Sequence, residues 1–150
     1  MARQLQPREV LLHTLAHVFL EELSLDAGYP ASSLRERVYS DEGMAGLLVY
    51  TATADAAGSL GGLVAQSETD RLAAVLHSAV ERSAWCTQDP VCIESVAGGS
   101  GGLNLAACHA CVLLPEVSCE KQNTLLDRAV LIGTPEEPDA GFFSGLVVAR

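Results

Sequence analysis

All five cysteines of this chain lie between positions 86 and 119, in the order Cys86-x5-Cys92-x15-Cys108-x2-Cys111-x7-Cys119. This spacing constrains the fold more than any other feature. A Cys-x2-Cys turn places two thiolates on one side of a tight knuckle, and a tetrahedral zinc, with Zn–S distances of about 2.3 Å, needs two more ligands from elsewhere in the chain. Cys119 and one of Cys86 or Cys92 can supply them. One zinc held by four thiolates has no open position for water, so it is expected to be structural, contributing to folding and not to catalysis. A redox pair at Cys108 and Cys111 leaves the other three clustered cysteines without a role, and zinc is the better reading. His109, between two knuckle cysteines, is badly placed to coordinate and is expected to be exposed or to lie behind the ligands.

The first nine residues lack the basic-then-apolar pattern of a secretory signal, so the cysteines are expected in a reducing, cytoplasmic setting where thiols outlast disulfides. The longest apolar stretches, such as Gly46–Tyr50 and Leu103–Ala107, fall far short of the roughly 20 residues needed to span a bilayer, and no membrane association is expected. A chain of 150 residues, 49% hydrophobic and 19% charged, is of the size and composition that folds around one core. Its net charge of −10 has the wrong sign for a surface built to grip phosphates. Direct nucleic-acid binding would need Arg35, Arg37, Arg71, Arg82, Lys121 and Arg128 to cluster, and their spacing does not show that they do.

From Val10 to Leu25 the apolar residues Leu12, Leu15, Ala16, Phe19 and Leu23 recur at three and four, with Leu11, Val18 and Leu20 filling much of the rest. The pattern predicts a mostly buried helix, ended by Gly28-Tyr29-Pro30. Ser33 followed three residues later by Glu36 has the form of a capping box and predicts a short second helix over Leu34–Tyr39. The segment Gly46–Thr53, apolar and partly β-branched, predicts a central strand. Residues 54–66, with Gly58, Gly61 and Gly62, read as a loop. Ser67 is expected to cap a helix that runs to about Trp85 with the core stripe Leu72, Val75, Leu76, Ala79 and Val80. Thr134–Asp139 reads as a solvated acidic loop, and the last ten residues as a strand or a loose tail. The expected architecture is α+β, helices packed on a small sheet with a cysteine zinc knuckle, as a single domain over 1–150 whose ordered core is about 8–133 and whose tail is 134–150.

Two further features invite a chemical reading. His13 and His17 stand at i and i+4, the spacing of a metal-binding pair on one helix face, but residue 14 is Thr where the metalloprotease pattern has its general-base Glu. Buried, hydrogen-bonded histidines are the expected outcome, with a small enzyme using His13, His17 and the glycine-rich loops as the rival. The loops Gly58-Ser-Leu-Gly-Gly62 and Gly98-Gly-Ser-Gly-Gly102 lack the Gly-Lys-Ser/Thr ending of a phosphate loop, and Ser59 lacks the nucleophile-elbow pattern. Flexible or tightly turning loops are expected there.

Several separate segments, in order along the chain, carry a family resemblance. They are Leu12-His-Thr-Leu-Ala-His17, Ser33–Ser40, Gly58–Gly62, Trp85-Cys-Thr-Gln-Asp-Pro-Val-Cys92, Leu103-Asn-Leu-Ala-Ala-Cys-His-Ala-Cys111, and Cys119-x3-Asn123-x2-Leu126-Asp-Arg128. Together they resemble the zinc-binding domain at the C-terminal end of MrfA-type DNA-repair helicases, and more its form in the DrmB component of the DISARM anti-phage system. The knuckle Ala-Cys-His-Ala-Cys is nearer the DISARM type than the helicase type, Gly-Cys-Pro-x-Cys. The resemblance implies four zinc ligands, carried over as Cys108, Cys111 and Cys119 with Cys92 or Cys86. It also implies a helicase-like protein partner and an accessory or scaffold role, with nucleic acid engaged indirectly or weakly. The chain has no Walker lysine motif and no Asp-Glu-x-His box, so motor activity is expected to reside in another polypeptide or region.

Overall fold

The computed structural model describes residues 6–52 and 60–147. Helix α1 (Pro7–Ala27) forms the centre of the domain. Pro7 stands at its first turn, where a missing N–H costs nothing, and Gly28 ends it at φ 74°, a left-handed conformation that glycine adopts without a Cβ penalty. Its buried residues are not confined to one stripe: Glu9, His13, Thr14, Ala16, His17, Val18, Phe19, Leu20 and Leu23 are all covered. A helix buried on several faces needs neighbours on several sides. Here they are α3 (Thr69–Ser83), the hairpin of β1 (Leu34–Tyr39) and β2 (Gly46–Thr51), and the short α4 (Ala129–Ile132).

The segment Leu34–Tyr39 is a strand, not the helix expected from its capping-box pattern. It pairs antiparallel with β2 from Leu34 opposite Thr51 to Tyr39 opposite Gly46. Alternation wins over the capping signal. Leu34 and Glu36 point inward and are buried, while Arg35 and Arg37 turn outward, and the Ser33 hydroxyl donates back to the Pro30 carbonyl at 2.7 Å. The strand β2 is half of a two-stranded sheet and has no second neighbour among the described residues.

Of the loop expected over residues 54–66, residues 54–59, including Gly58 and Ser59, lie outside the described residues, and Leu60–Ala65 is not a loop but a short helix, α2. Helix α3 starts at Thr69 without a side-chain cap, and the Ser67 hydroxyl instead donates to the Val64 carbonyl at 2.7 Å. Its expected stripe holds: Val75, Ala79 and Val80 are buried, and Leu72 and Leu76 pack against the core. That core has two parts. One gathers Phe19, Leu20, Leu23, Tyr29, Leu34, Val75 and Leu114; the other gathers Val18, Ala79, Val112, Leu126 and Leu131.

Between α3 and α4 the described backbone contains only turns, short 3-10 segments and one isolated bridge. So long a stretch without regular structure is unusual inside a compact domain and must be held by other means. Side chains do part of this. Asn104 accepts from the Leu126 N–H at 3.0 Å and donates to the Asn123 carbonyl at 2.7 Å, and Asn123 in turn bonds both backbone groups of Leu114. The second glycine run is a tight turn, as expected. Gly99, Gly101 and Gly102 all have φ near 68°, which lets Gly98 and Asn104 exchange two backbone hydrogen bonds. After α4, residues 135–139 are exposed, as expected of a solvated loop, and residues 141–147 are neither strand nor loose tail: Phe142 and Phe143 donate backbone bonds to Val130 and Leu131, and Phe143 packs on the second core group.

Candidate metal centre

Four sulfur atoms converge where the irregular segment meets α3. The Sγ atoms of Cys86, Cys92, Cys108 and Cys111 all lie within 4.8 Å of one another. The closest separations are 3.5 Å for Cys86–Cys108 and 3.7 Å for both Cys92–Cys111 and Cys108–Cys111. These are far longer than a disulfide, and all five cysteines are free. A regular tetrahedron with Zn–S bonds of about 2.3 Å has S···S edges of about 3.8 Å, so the cluster has the dimensions of a four-thiolate zinc site.

The surroundings suit thiolates as well. The Gln88 N–H points to Cys86 Sγ and the Cys108 N–H to Cys111 Sγ, both at 3.4 Å. Without a cation the four sulfurs cannot all ionise together. Burial, followed by the nearby thiolates of Cys108 and Cys86, pushes the Cys92 thiol up to about 11, and burial likewise pushes Cys111 up. For Cys108, burial is outweighed by the Ala110 N–H and by hydrogen bonds from the other thiols, which pull it below the usual thiol value. A dication at the centre removes this mutual repulsion.

Behind the ligands stands Arg128, which is fully buried. Its guanidinium donates to Asp89 Oδ1 at 2.5 Å and to the Ser83 carbonyl at 3.0 Å. Asp89 in turn accepts the backbone N–H of Cys86 at 2.9 Å and of Ile93 at 3.2 Å, fixing the turn that carries Cys86 and Cys92. Burial disfavours the Arg128 charge, but Asp89 and the Cys111 and Cys92 thiolates overcome this and raise its pKa. A four-thiolate zinc carries a net charge of −2, and Arg128 compensates part of it. In the sequence Arg128 stands out only as one of six basic residues that could form a patch and as the end of the Cys119–Arg128 segment, with no role at the cysteine cluster attached. The available signal was the adjacent Asp127-Arg128 charge pair inside the otherwise apolar Leu125–Gly133 run.

Cys119, expected as a ligand in the cysteine cluster beside Cys108 and Cys111, is not in it. Both Cys86 and Cys92 belong, and Cys119 lies on a separate loop against α1 and β1. There its Sγ is 3.2 Å from His13 Nε2, and the atoms of His13, His17, Glu36 and Cys119 form a second group within 4.8 Å of one another. The two histidines are buried and hydrogen-bonded, as expected: His13 Nε2 lies 3.0 Å from Glu36 Oε1, and His17 Nδ1 is 2.9 Å from the Val112 carbonyl. Neither has any exposed surface. Burial raises the Glu36 pKa, but the two histidines outweigh it and hold the carboxyl at about 2; burial likewise opposes a charge on His17, yet Cys119 and Glu36 raise its pKa. His109 is exposed and takes part in neither group.

Three of the six basic residues that could form a patch are held by carboxylates. Arg82 pairs with Glu22 at 3.2 Å, Lys121 pairs with the buried Glu9, and Arg128 pairs with Asp89. No helix among the described residues is long and apolar enough to cross a membrane.

Comparison with known proteins agrees with this geometry. The family model for the MrfA Zn-binding domain matches residues 15–112, a span that contains all four clustered cysteines. The DISARM protein DrmB of Bacillus paralicheniformis is 41% identical over 138 residues, which is 92% of this chain and 25% of that protein. The chain therefore spans about a quarter of the length of this curated relative. Four thiols at tetrahedral spacing and a family match over most of the chain lead to one conclusion: this is a zinc-binding domain, and it belongs to the MrfA Zn-binding domain family.

Proposed function

We propose that the chain is a non-catalytic zinc module in which Cys86, Cys92, Cys108 and Cys111 hold one structural zinc, and that it serves as an accessory or scaffold part of a DISARM-like defence or DNA-processing assembly with a helicase-like partner. The observation that carries the first half is the set of four sulfurs at near-tetrahedral spacing, a donor set that fills every position on zinc and leaves none for substrate or water. The ion would tie the Cys86–Cys92 turn to the Cys108–Cys111 knuckle, stabilising a segment that has almost no backbone ladder of its own. The second half rests on the likeness to DrmB, whose name places it in the DISARM system.

The rival readings fit less well. His13 and His17 are completely buried, which suits a structural pair better than a catalytic one. Three of the six basic residues that a nucleic-acid surface would need are engaged by carboxylates.

The test has two arms. Cys108→Ser combined with Cys111→Ser is expected to lose the zinc bound at this cluster, seen as a fall of one equivalent per chain by elemental mass spectrometry. Pull-down from the native host is expected to recover a helicase-like protein, and deletion to lower phage resistance. An unchanged metal content refutes the ligand set. Absence of such a partner together with unchanged phage resistance refutes the assembly role.

A further inference from the structure

We propose that His13, His17, Glu36 and Cys119 form a second metal site, separate from the four-cysteine cluster, that takes one zinc-class divalent cation. The donor set comes from three parts of the fold. Two imidazoles stand one turn apart on α1, the carboxylate lies on the inward face of β1, and the sulfur sits on the loop after the knuckle. All four residues are buried, with His13 and His17 at 0%, Glu36 at 2% and Cys119 at 6% exposure.

The distances match a coordination polyhedron. A tetrahedral zinc with Zn–N and Zn–O bonds of about 2.1 Å and a Zn–S bond of about 2.3 Å has N···O edges of about 3.4 Å and N···S edges of about 3.6 Å. The corresponding separations are 3.0 Å and 3.6 Å from the two Nε2 atoms to Glu36 Oε1, and 3.2 Å from His13 Nε2 to Cys119 Sγ. Two nitrogens, one oxygen and one sulfur form a borderline-soft set of the kind zinc accepts.

The hydrogen bonds around the group orient it as a ligand shell. In a neutral His17 ring, Nδ1–H donates to the Val112 carbonyl, so Nε2 is a bare lone pair aimed at the Glu36 carboxylate 3.6 Å away. Neither His17 Nε2 nor Glu36 Oε2 has a hydrogen-bond partner, although both are buried. A lone pair facing a carboxylate is repulsive, and a cation between them makes it attractive. Donation from the other imidazole nitrogen to a backbone carbonyl is the usual way a protein fixes a metal-bound histidine. Cys119 Sγ accepts the N–H groups of Lys121 at 3.4 Å and Asn123 at 3.3 Å, as Cys86 accepts that of Gln88 in the cysteine cluster. Gln122 and Asn123 adopt left-handed backbone, with φ of 54° and 56°, to curl the chain around that sulfur.

Such an ion would join α1, β1 and the 114–123 loop, which no continuous ladder connects. The site has no exposed donor and would be structural. The residues His13 and Cys119 lie outside the span matched by the family model.

The experiment is zinc stoichiometry on the full chain with zinc-edge X-ray absorption on the same sample. Two zinc per chain are expected, with an average shell of five sulfurs to three nitrogen or oxygen donors over the two sites. His17→Gln and Cys119→Ser are each expected to halve the zinc, and Cys111→Ser to remove the other equivalent. If the Cys119 variant fails to fold, the wild-type absorption edge still decides. One zinc with a sulfur-only shell overturns the second site, leaves the cysteine site standing and makes the buried group a salt bridge between protonated His17 and Glu36. One zinc with a mixed shell supports the second site and overturns the cysteine site.

Discussion

Replacement of Arg128 by Met removes the one positive charge buried behind the cysteine cluster while keeping most of the side-chain volume. The cost follows from what is left behind. Asp89 loses a charge-assisted hydrogen bond of 2.5 Å, and the Ser83 carbonyl loses its donor at 3.0 Å. Breaking a buried ion pair by removing one partner costs about 3–5 kcal/mol. Asp89 is 19% exposed and keeps the Cys86 and Ile93 N–H groups, so water and backbone moderate the penalty, placing the expectation near the lower end, about 3 kcal/mol. Against a typical total of about 5–15 kcal/mol this is a large fraction, and for a domain of this size it corresponds to a fall in Tm of about 6–12 °C. The assay is urea unfolding at fixed free zinc, with Asp89→Asn and the double variant measured beside it. Because the double variant leaves no unpaired charge, its cost should be well below the sum of the two single ones. A loss under about 1 kcal/mol for the Met variant, or strict additivity, would refute the assignment of Arg128 as the counter-charge of the cluster.

Two more outcomes are expected. Zinc affinity should rise with pH: Cys92 holds its proton to about 11 without the ion and Cys111 is also raised, so loading at neutral pH expels at least these two protons, and log K should rise by about two or more per pH unit between pH 6 and 8. The zinc-dependent part of the stability is therefore present at high pH and lost on acidification, and a flat competition titration against a chelator of known pH behaviour would contradict the ligand set. Asn104→Ala should destabilise the fold by about 2–3 kcal/mol in chemical denaturation, because it orphans the Leu126 N–H and the Asn123 carbonyl at a buried position; a change within experimental error would show that water replaces both bonds.

How far the sequence could be read depends on which physics decides each element. Apolar periodicity at three and four is a local signal, and α1 and α3 follow it closely. The segment Leu34–Tyr39 carries two local signals that conflict. The Ser33/Glu36 pair favours a helix; the alternation of Leu34 and Glu36 against Arg35 and Arg37 favours a strand. Tertiary contact resolves the conflict, because only the strand turns Glu36 inward to His13 and His17, at separations no local pattern encodes. Cys119 shows the same limit. Seven residues separate it from Cys111, and on spacing alone it belongs with the knuckle. What sends it elsewhere is a loop closed on itself. Asn123 pairs with both backbone groups of Leu114, the Ser118 hydroxyl donates to the Ala31 carbonyl at 2.8 Å, and Glu120 accepts the Val38 N–H at 3.1 Å. These bonds turn the 114–123 loop toward α1 and β1 and away from Cys111, and each joins residues from 9 to 87 positions apart. Cysteine spacing thus fixes that a thiolate cluster forms, while the asparagine and hydroxyl bonds around it fix which cysteines take part.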